Sequence, residues 1–180
     1  MGSEPMIDVF RKTGFVLDGR VHLADADPIG NTAFFVSKAR FLAEHDALRA
    51  RGLDVGIVLE PSDRLDDLAD DLAGIGALAI RFPKFGDGRG YSLARLARER
   101  HGFARELRAI GDVAWDQLEA LCRCGFDTFE IDDATTRRRL EQGERPGFAV
   151  RYQPVGGDGF HPLQNRPWAS AVWRDAWCGA

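Results

Sequence analysis

The chain has 180 residues, of which 44% are hydrophobic and 29% charged, enough for one substantial hydrophobic core. This composition excludes an intrinsically disordered chain. A net charge of −4 and a pI near 5.6 exclude a general nucleic-acid binder, which usually carries a basic excess. We expect no membrane segment, because no apolar run approaches the roughly 18 residues of a spanning helix. We also expect a cytoplasmic protein, because there is no signal-peptide pattern and three cysteines do not suit a disulfide framework.

Strand and helix patterns alternate along the middle of the chain. After a polar N-terminal segment, residues 1–32, the predicted elements in chain order are strand 33–37, helix 38–51, strand 55–60, a helix over 62–75 capped by Ser62, strand 78–82, a helix after the glycines of 86–90, strand 106–110, a helix capped by Asp112, strand 128–131 and helix 135–142. This alternation predicts a single α/β domain with its core in 33–145 and a mainly parallel sheet of repeated strand–helix units. About five such units are too few for a closed eight-unit barrel, so we expect a partial barrel, with an open doubly wound sheet as the alternative.

The last segment, 146–180, is rich in glycine and proline and is predicted to be extended chain with a short helix that bears Trp168, Trp173 and Trp177. Trp173 and Trp177 lie one helical turn apart and so share a face. Such a stripe either packs on its own domain or, if exposed, forms a surface for a partner or a second copy. We expect a homodimer.

Three predicted strands carry a charged residue at their centre, namely Arg81, Arg108 and Glu130. The apolar neighbours of each would point to the opposite face of the sheet. In a sheet covered on both faces these charges would be buried and would need partners, which they can supply to one another. The group is either a structural layer of ion pairs or a polar layer that opens onto a ligand site.

The stretch PKFGDGRGYS, residues 83–92, follows a predicted strand and precedes a predicted helix. It therefore lies at the carboxyl edge of the sheet, where α/β proteins bind ligands. Free N–H groups at a helix start favour an anion, and cationic side chains add to this preference. The candidate anion-binding residues are Lys84, Gly86, Gly88, Arg89, Gly90, Ser92 and Arg95. The alternative is a tight turn in which Asp87 satisfies its own backbone and Arg89 points into solvent.

Further carboxylates fall at the same edge. Asp112 and the pair Asp132 and Asp133 follow predicted strands, and with Asp87 they would resemble a magnesium site. Helix capping alone explains Asp112 and Asp133, so we predict no metal site.

The sequence offers no clear redox group. Cys122 and Cys124 are two residues apart at the end of a predicted helix, so they point to different sides. The chain has no dinucleotide fingerprint and no set of cluster-binding cysteines. The cofactor is therefore unknown.

The stretches FPKFGDGRGYSLARLARERHGF and ELRAIGDVAWDQLEALCRCGFDTFE resemble a bacterial family of unknown function, family 934. The likeness runs from about residue 55 to 130, with Tyr152 and Gln153 as a further point. Arg105 departs from the family pattern, which has glycine there, and Ala114 with Trp115 replaces a leucine and a basic residue. Matching positions include Lys84, Asp87, Gly88, Arg89, Gly90, Ser92, Arg95, Arg108, Gly111 and Asp112.

Members of this family are labelled as oxidoreductases involved in sulfite reduction and are typically encoded beside sulfite reductase and phosphoadenylylsulfate reductase. The resemblance implies a small enzyme or oxyanion carrier of assimilatory sulfur metabolism, with sulfite, sulfate or an adenylyl sulfate as ligand. Residues of 83–92 would then hold the anion, Arg81 and Arg108 would shape the pocket, and Asp87 or Asp112 would handle protons. The alternative is a non-catalytic docking or assembly subunit for sulfite reductase, in which the loop is structural.

Overall fold

In the computed structural model, which describes residues 7–11, 13–50, 54–84 and 86–146, eight strands form one sheet. The strands are β1 (Ile7–Arg11), β2 (Gly14–Asp18), β3 (Val21–His22), β4 (Phe34–Ser37), β5 (Val55–Leu59), β6 (Ala77–Phe82), β7 (Glu106–Gly111) and β8 (Thr128–Glu130). The α-helices are α1 (Lys38–Ala43), α2 (His45–Ala50), α3 (Arg89–Arg95), α4 (Leu118–Arg123) and α5 (Ala134–Glu141). Shorter helical turns are the 3-10 turns Leu65–Leu68 and Trp115–Gln117 and the π turn Leu96–Arg100.

The strand order is β2-β1-β8-β7-β6-β5-β4-β3. From β3 to β8 each strand pairs in parallel with the next one in the chain, whereas β1 pairs antiparallel with both β2 and β8. The α/β class is confirmed. The sheet is nevertheless mixed, because an N-terminal hairpin that the sequence analysis did not name continues it beyond β8.

The sheet curls into a partial barrel. Strands β2 and β3 lie at opposite edges of the sheet, yet only Gly19 and Arg20 separate them in the chain. Because consecutive Cα atoms are 3.8 Å apart, the chain from Asp18 to Val21 spans at most about 11 Å. The two edges must therefore approach each other. The curl gives the sheet a concave face and a convex face.

The convex face carries the main hydrophobic core and the helices. In β6 the fully buried Leu78, Ile80 and Phe82 point to this face, and alternate residues point to the other. The concave face has a small apolar cluster of Phe35, Val58, Ala77, Ala79 and Ile110. None of the described helices has the length and the apolar character needed to cross a bilayer.

Gly56 makes room for Phe35, the largest side chain of the apolar cluster on the concave face. A Cβ at Gly56 would lie 2.4 Å from the ring of Phe35. The aromatic ring thus fills the place of a side chain on the neighbouring strand and closes the interior of the curl.

Two predicted helices differ from the structure. Helix 38–51 is divided at Glu44 into α1 and α2. The helix predicted over 62–75 is only a 3-10 turn, Leu65–Leu68, followed by further turns to Gly74. Ser62 does not cap it. The Asp63 carboxylate instead turns the chain by accepting the N–H of Glu60.

The buried positions of that segment are nevertheless as the sequence indicates. Leu65, Leu68, Leu72 and Ile75 are all buried. Ion pairs from other elements hold the turns, since Lys38 binds Asp67, and tertiary contacts of this kind override local helix preference.

Candidate functional site

The glycine loop, which we define as residues 83–92, connects β6 to α3. The last residue of β6 is Phe82 and α3 begins at Arg89, so the loop lies at the carboxyl edge of the parallel strands, as predicted. Phe85 falls outside the described residues. Among the described residues of the loop, the exposed side chains are those of Pro83, Lys84, Arg89 and Ser92.

Within the loop, Asp87 and Arg89 form a bidentate pair. Asp87 Oδ1 accepts the Arg89 backbone N–H at 3.2 Å and Nε at 2.9 Å, and Asp87 Oδ2 accepts the Arg89 terminal nitrogen at 2.7 Å. The hydrogen bonds from Arg89 lower the pKa of Asp87 to about 2. A carboxyl group with this pKa is ionised at neutral pH and is a weak base. In this arrangement Asp87 acts as an internal anion on Arg89.

The three glycines of the loop have different surroundings. A Cβ at Gly90 would lie 2.6 Å from the ring of Phe82, so packing alone requires glycine there. At Gly86 and Gly88 nothing lies within 4 Å of the position that a Cβ would take. Gly88 has an ordinary φ of −78°, and neither residue has the positive φ that favours glycine. Neither local strain nor packing explains these two glycines, and their backbone is open to a ligand.

The polar side chains around the loop differ in their availability. Lys84 and Ser92 make no side-chain hydrogen bond or ion pair with any residue that the structure describes. Arg95 does not turn toward the loop in this state, because its guanidinium donates to Glu99 at 2.8 Å along the helix. Lys84 is therefore the cation that is free to receive an anion.

The predicted layer of Arg81, Arg108 and Glu130 forms only in part. Arg108 donates to Glu130 at 3.0 Å, but Nε of Arg81 donates to Glu60 at 2.8 Å. In the register of β6 and β7, Arg108 lies opposite Ala79, two residues before Arg81. That offset moves Arg81 about 6.6 Å along the strand, toward the rim of the concave face.

Arg108 is at the centre of a buried charged cluster on the concave face. Its side chain is fully buried and donates to Glu106, Glu130 and Asp18, and its guanidinium lies 4.7 Å from the centre of the Phe35 ring. All the terminal nitrogens of Arg108 are thus occupied by carboxylates. These contacts agree with the first of the two interpretations of the predicted layer, a structural layer of ion pairs.

Residues near the strand β3 edge complete this cluster. Arg20 donates to Glu106 at 3.0 Å, and His22 Nε2 lies 2.8 Å from Glu130. Burial would raise the pKa of Glu130, but hydrogen bonds and charges from His22 and Arg108 lower it below its ordinary value. Burial also opposes ionisation of Asp18, and Arg108 and Arg20 lower its pKa overall.

Asp18, Arg20, His22 and Glu106 were not among the site residues predicted from the sequence. A signal was present, because Asp18, Arg20 and His22 alternate with uncharged residues at the period of a strand. The alternation runs through the break between β2 and β3, so one extended segment supplies all three side chains to the concave face.

Of the two aspartates predicted to cap helices, Asp112 and Asp133, one does so. Asp133 caps α5, since its carboxylate accepts the N–H of Thr136 at 2.6 Å. Asp112 does not cap the next helical segment, which begins after Ala114. There the side chain of Gln117 accepts the Ala114 N–H instead.

Asp112 instead connects the ends of two neighbouring strands through its backbone. Its backbone N–H donates to the carbonyl of Phe82 at 2.8 Å, which ties the end of β7 to the start of the glycine loop. Its side chain is exposed at the same edge of the sheet. In the part of the chain that the structure describes, no group of three or more histidine, cysteine or acidic side chains could hold a metal ion.

The structure describes Cys122 and Cys124 but not the three tryptophans of the last segment. Cys124 is a free, half-buried thiol, and burial raises its pKa, which makes the thiolate scarce at neutral pH. Cys122 packs against the main core. Trp168, Trp173 and Trp177 lie outside the described residues.

Comparison with protein families identifies the family of this chain. A family model described as "Bacterial protein of unknown function (DUF934)" matches residues 56–161, which is more than half of the chain. The matched range contains the glycine loop, Arg108 and Glu130, but not the N-terminal hairpin. A comparison with curated proteins finds no significant match.

Proposed function

Because the chain belongs to this bacterial family of unknown function, family 934, we propose that it is an accessory protein of assimilatory sulfite or sulfate reduction that binds an oxyanion or an adenylyl sulfate at the glycine loop. The observation that carries the proposal is the open backbone at Gly86 and Gly88, beside Lys84, whose side chain has no partner among the described residues. Close backbone approach and a free cation suit a tetrahedral oxyanion.

The pair of Asp87 and Arg89 suggests how the anion would bind. A guanidinium recognises carboxylates and tetrahedral oxyanions through the same two parallel hydrogen bonds. Asp87 therefore occupies the place of a ligand on Arg89. In the proposed complex the oxyanion displaces the Asp87 carboxylate, binds Arg89 and Lys84, and accepts hydrogen bonds from the backbone of Gly88 and the hydroxyl of Ser92.

Arg81 and Asp112 belong to the rim of the proposed site. Arg81 is the second-last residue of β6 and donates to Glu60, and the backbone N–H of Asp112 donates to the carbonyl of Phe82. Both thus lie at the carboxyl edge from which the loop departs. In this proposal Arg81 contributes positive charge, and Asp112 is the carboxylate that is able to exchange a proton with a bound ligand.

A titration tests the proposal. The melting temperature is followed against sulfate, sulfite, phosphate and adenosine 5′-phosphosulfate for the unchanged chain, Arg89→Ala and Arg64→Ala. Arg64 is a matched control because it is also exposed and also pairs with an aspartate two residues away, Asp66. We expect saturable stabilisation by one of these anions, retained in Arg64→Ala and lost in Arg89→Ala. An equal, unsaturable salt effect in all three proteins contradicts the proposal.

The occupied state of Arg89 also favours a second candidate, a docking subunit for sulfite reductase in which the glycine loop is structural. That function predicts co-purification with the reductase and no response to oxyanions. Replacement of Trp173 or Trp177 by alanine would then abolish the co-purification, whereas Arg89→Ala would leave it intact.

A further inference from the structure

A cavity of about 380 Å³ opens at the amino-terminal edge of the parallel strands, where the glycine loop does not reach. Residues one or two positions before three neighbouring strands line it: Asp54 before β5, Ile75 before β6 and Arg105 before β7. Helices α1 and α2 supply the opposite wall. The volume falls in the range of pockets that hold small organic molecules, about 300–1,000 Å³.

The floor of the cavity is apolar. Phe41, Leu48, Val55 and Ile75 line it, and all four are buried members of the main hydrophobic core. An apolar floor of this kind favours the apolar body of a ligand over water, because its surface has no hydrogen bond to offer. The ligand therefore needs an apolar part of about the size of one or two rings.

The rim of the cavity has charged groups that are unequally neutralised. Asp54 is paired with the buried Arg20, and Asp71 is paired with His45 at 2.7 Å and with Arg49 at 3.3 Å. Both carboxylates of the rim are therefore occupied.

Arg105 is the exception at the rim. Its guanidinium makes no ion pair and no hydrogen bond with any residue in the described ranges. Among the described residues that line the cavity, Arg105 is thus the one uncompensated cation, and a lone cation beside an apolar floor selects a ligand with one negative charge.

From this floor and this rim we infer that the cavity binds a small organic anion, an apolar ring system that bears one carboxylate, with its charge on Arg105. The site is separate from the glycine loop, because it lies at the opposite ends of the same strands. Loss of oxyanion binding at the loop would leave this inference standing, and the reverse also holds.

The experiment uses the full chain with 2-naphthoate as the probe and 2-naphthamide as its neutral analogue of the same shape. Binding is measured by calorimetry and by chemical-shift changes of the backbone amides. We expect saturable binding of 2-naphthoate, with shifts at Leu48, Val55 and Ile75, and about tenfold weaker binding of the amide, because the amide lacks the charge that Arg105 recognises.

Three variants decide between a built site and general hydrophobic adsorption. Arg105→Ala is expected to weaken 2-naphthoate binding about tenfold and to leave amide binding unchanged. Arg100→Ala, an exposed arginine of the nearby π turn that does not line the cavity, is expected to change neither. Gly74→Phe is expected to abolish both, since Gly74 lines the cavity and a Cβ there makes only an ordinary 3.5 Å contact.

The inference is overturned if 2-naphthoate does not bind, if it binds no better than the amide, or if Arg105→Ala has no effect on it. Retention of binding by a correctly folded Gly74→Phe, judged by its circular dichroism and cooperative unfolding, also overturns it.

Discussion

Gly88 and Gly90 are two residues apart in the glycine loop, yet alanine has different consequences at the two positions. At Gly88 a Cβ meets nothing within 4 Å and φ is −78°, so Gly88→Ala is expected to leave stability unchanged or to raise it by about 0.4–1 kcal/mol. At Gly90 a Cβ meets Phe82 at 2.6 Å, so Gly90→Ala is expected to destabilise by about 1–3 kcal/mol. Urea unfolding of both variants measures the difference.

The same pair tests the role of the loop. If Gly88 is open in order to admit an anion, Gly88→Ala weakens the response to the stabilising oxyanion while the fold stays intact. If Gly88→Ala keeps full ligand response, the open backbone at Gly88 has no part in binding. A neutral effect of Gly90→Ala on stability would contradict the packing argument for that glycine.

Arg108 is expected to control the pH dependence of stability. Asp18 and Glu130 have folded pKa values below their ordinary values of 3.8 and 4.5. Their contribution to stability is therefore present above those values and is lost as the pH falls through the lower folded pKa values. In Arg108→Met the three carboxylates lose the buried arginine that joins them, although Glu106 keeps Arg20 and Glu130 keeps His22, and the loss is expected to cost about 3–5 kcal/mol at neutral pH.

The pH dependence of stability should also become weaker in Arg108→Met. Without the arginine, only Arg20 and His22 offset the burial of Asp18 and Glu130, so their folded pKa values rise and less stability is lost on acidification from about pH 6 to about pH 3. Urea unfolding across this range measures the effect. Arg95→Met, which breaks only an exposed pair with Glu99, is the control and should shift stability by less than about 0.5 kcal/mol. Parallel pH profiles for Arg108→Met and the unchanged chain would contradict the argument.

At the scale of single residues, the sequence predicted where a residue lies in the fold better than it predicted its ion-pair partner. It placed the glycine loop correctly and offered the pairing of Asp87 with its own turn as one reading. It could not assign Glu60 to Arg81, because that pairing depends on the register of β5 against β6. Asp18 was also out of reach, since it meets Arg108 only through the curl of the sheet.

At the scale of elements, the N-terminal hairpin β1–β2 anchors one end of the sheet. Phe10 in β1 is fully buried, lies opposite Phe129 of β8 and packs edge-on against the Phe15 ring at 5.1 Å. Phe10→Ala is therefore expected to destabilise the protein by about 3–5 kcal/mol. Leu17→Ala in the same hairpin is the control, because Leu17 is 64% exposed, and it should change stability by less than about 0.5 kcal/mol.

Thermal and urea unfolding decide this prediction. Equal, small effects of the two substitutions would show that the hairpin is peripheral to the cooperative unit. The sequence missed this hairpin because its strands lack simple alternation. Phe10 is buried on the convex face and Val9 on the concave face, so neither face of β1 reads as polar.

The parallel strands, by contrast, were predictable. Strands β5, β6 and β7 are buried on both faces and appear in the sequence as short apolar runs between turn residues. The connections were harder, because short segments between adjacent parallel strands are held by ion pairs with other elements and not by helix propensity. Residues 62–75 show this most clearly.

For the whole molecule, the residues that the family model matches are fewer than the residues that form the sheet. The match begins at residue 56, after β1 to β4, so it leaves out one neighbour of β5 and one neighbour of β8. It also leaves out Asp18 and Phe35, which contact Arg108. The charged cluster around Arg108 is therefore incomplete without the N-terminal third of the chain.

We accordingly expect that a fragment of residues 56–161 does not fold alone. Without β1 and β4, two strands present unpaired edges, and Arg108 loses a carboxylate and an aromatic contact in the interior. A chain of residues 1–161 is the matched control, because it ends at the same residue and retains all eight strands. Near-ultraviolet circular dichroism and urea unfolding should show a cooperative transition for 1–161 and none for 56–161. A cooperative transition in the shorter fragment would mean that the hairpin and β4 are additions to an independent domain.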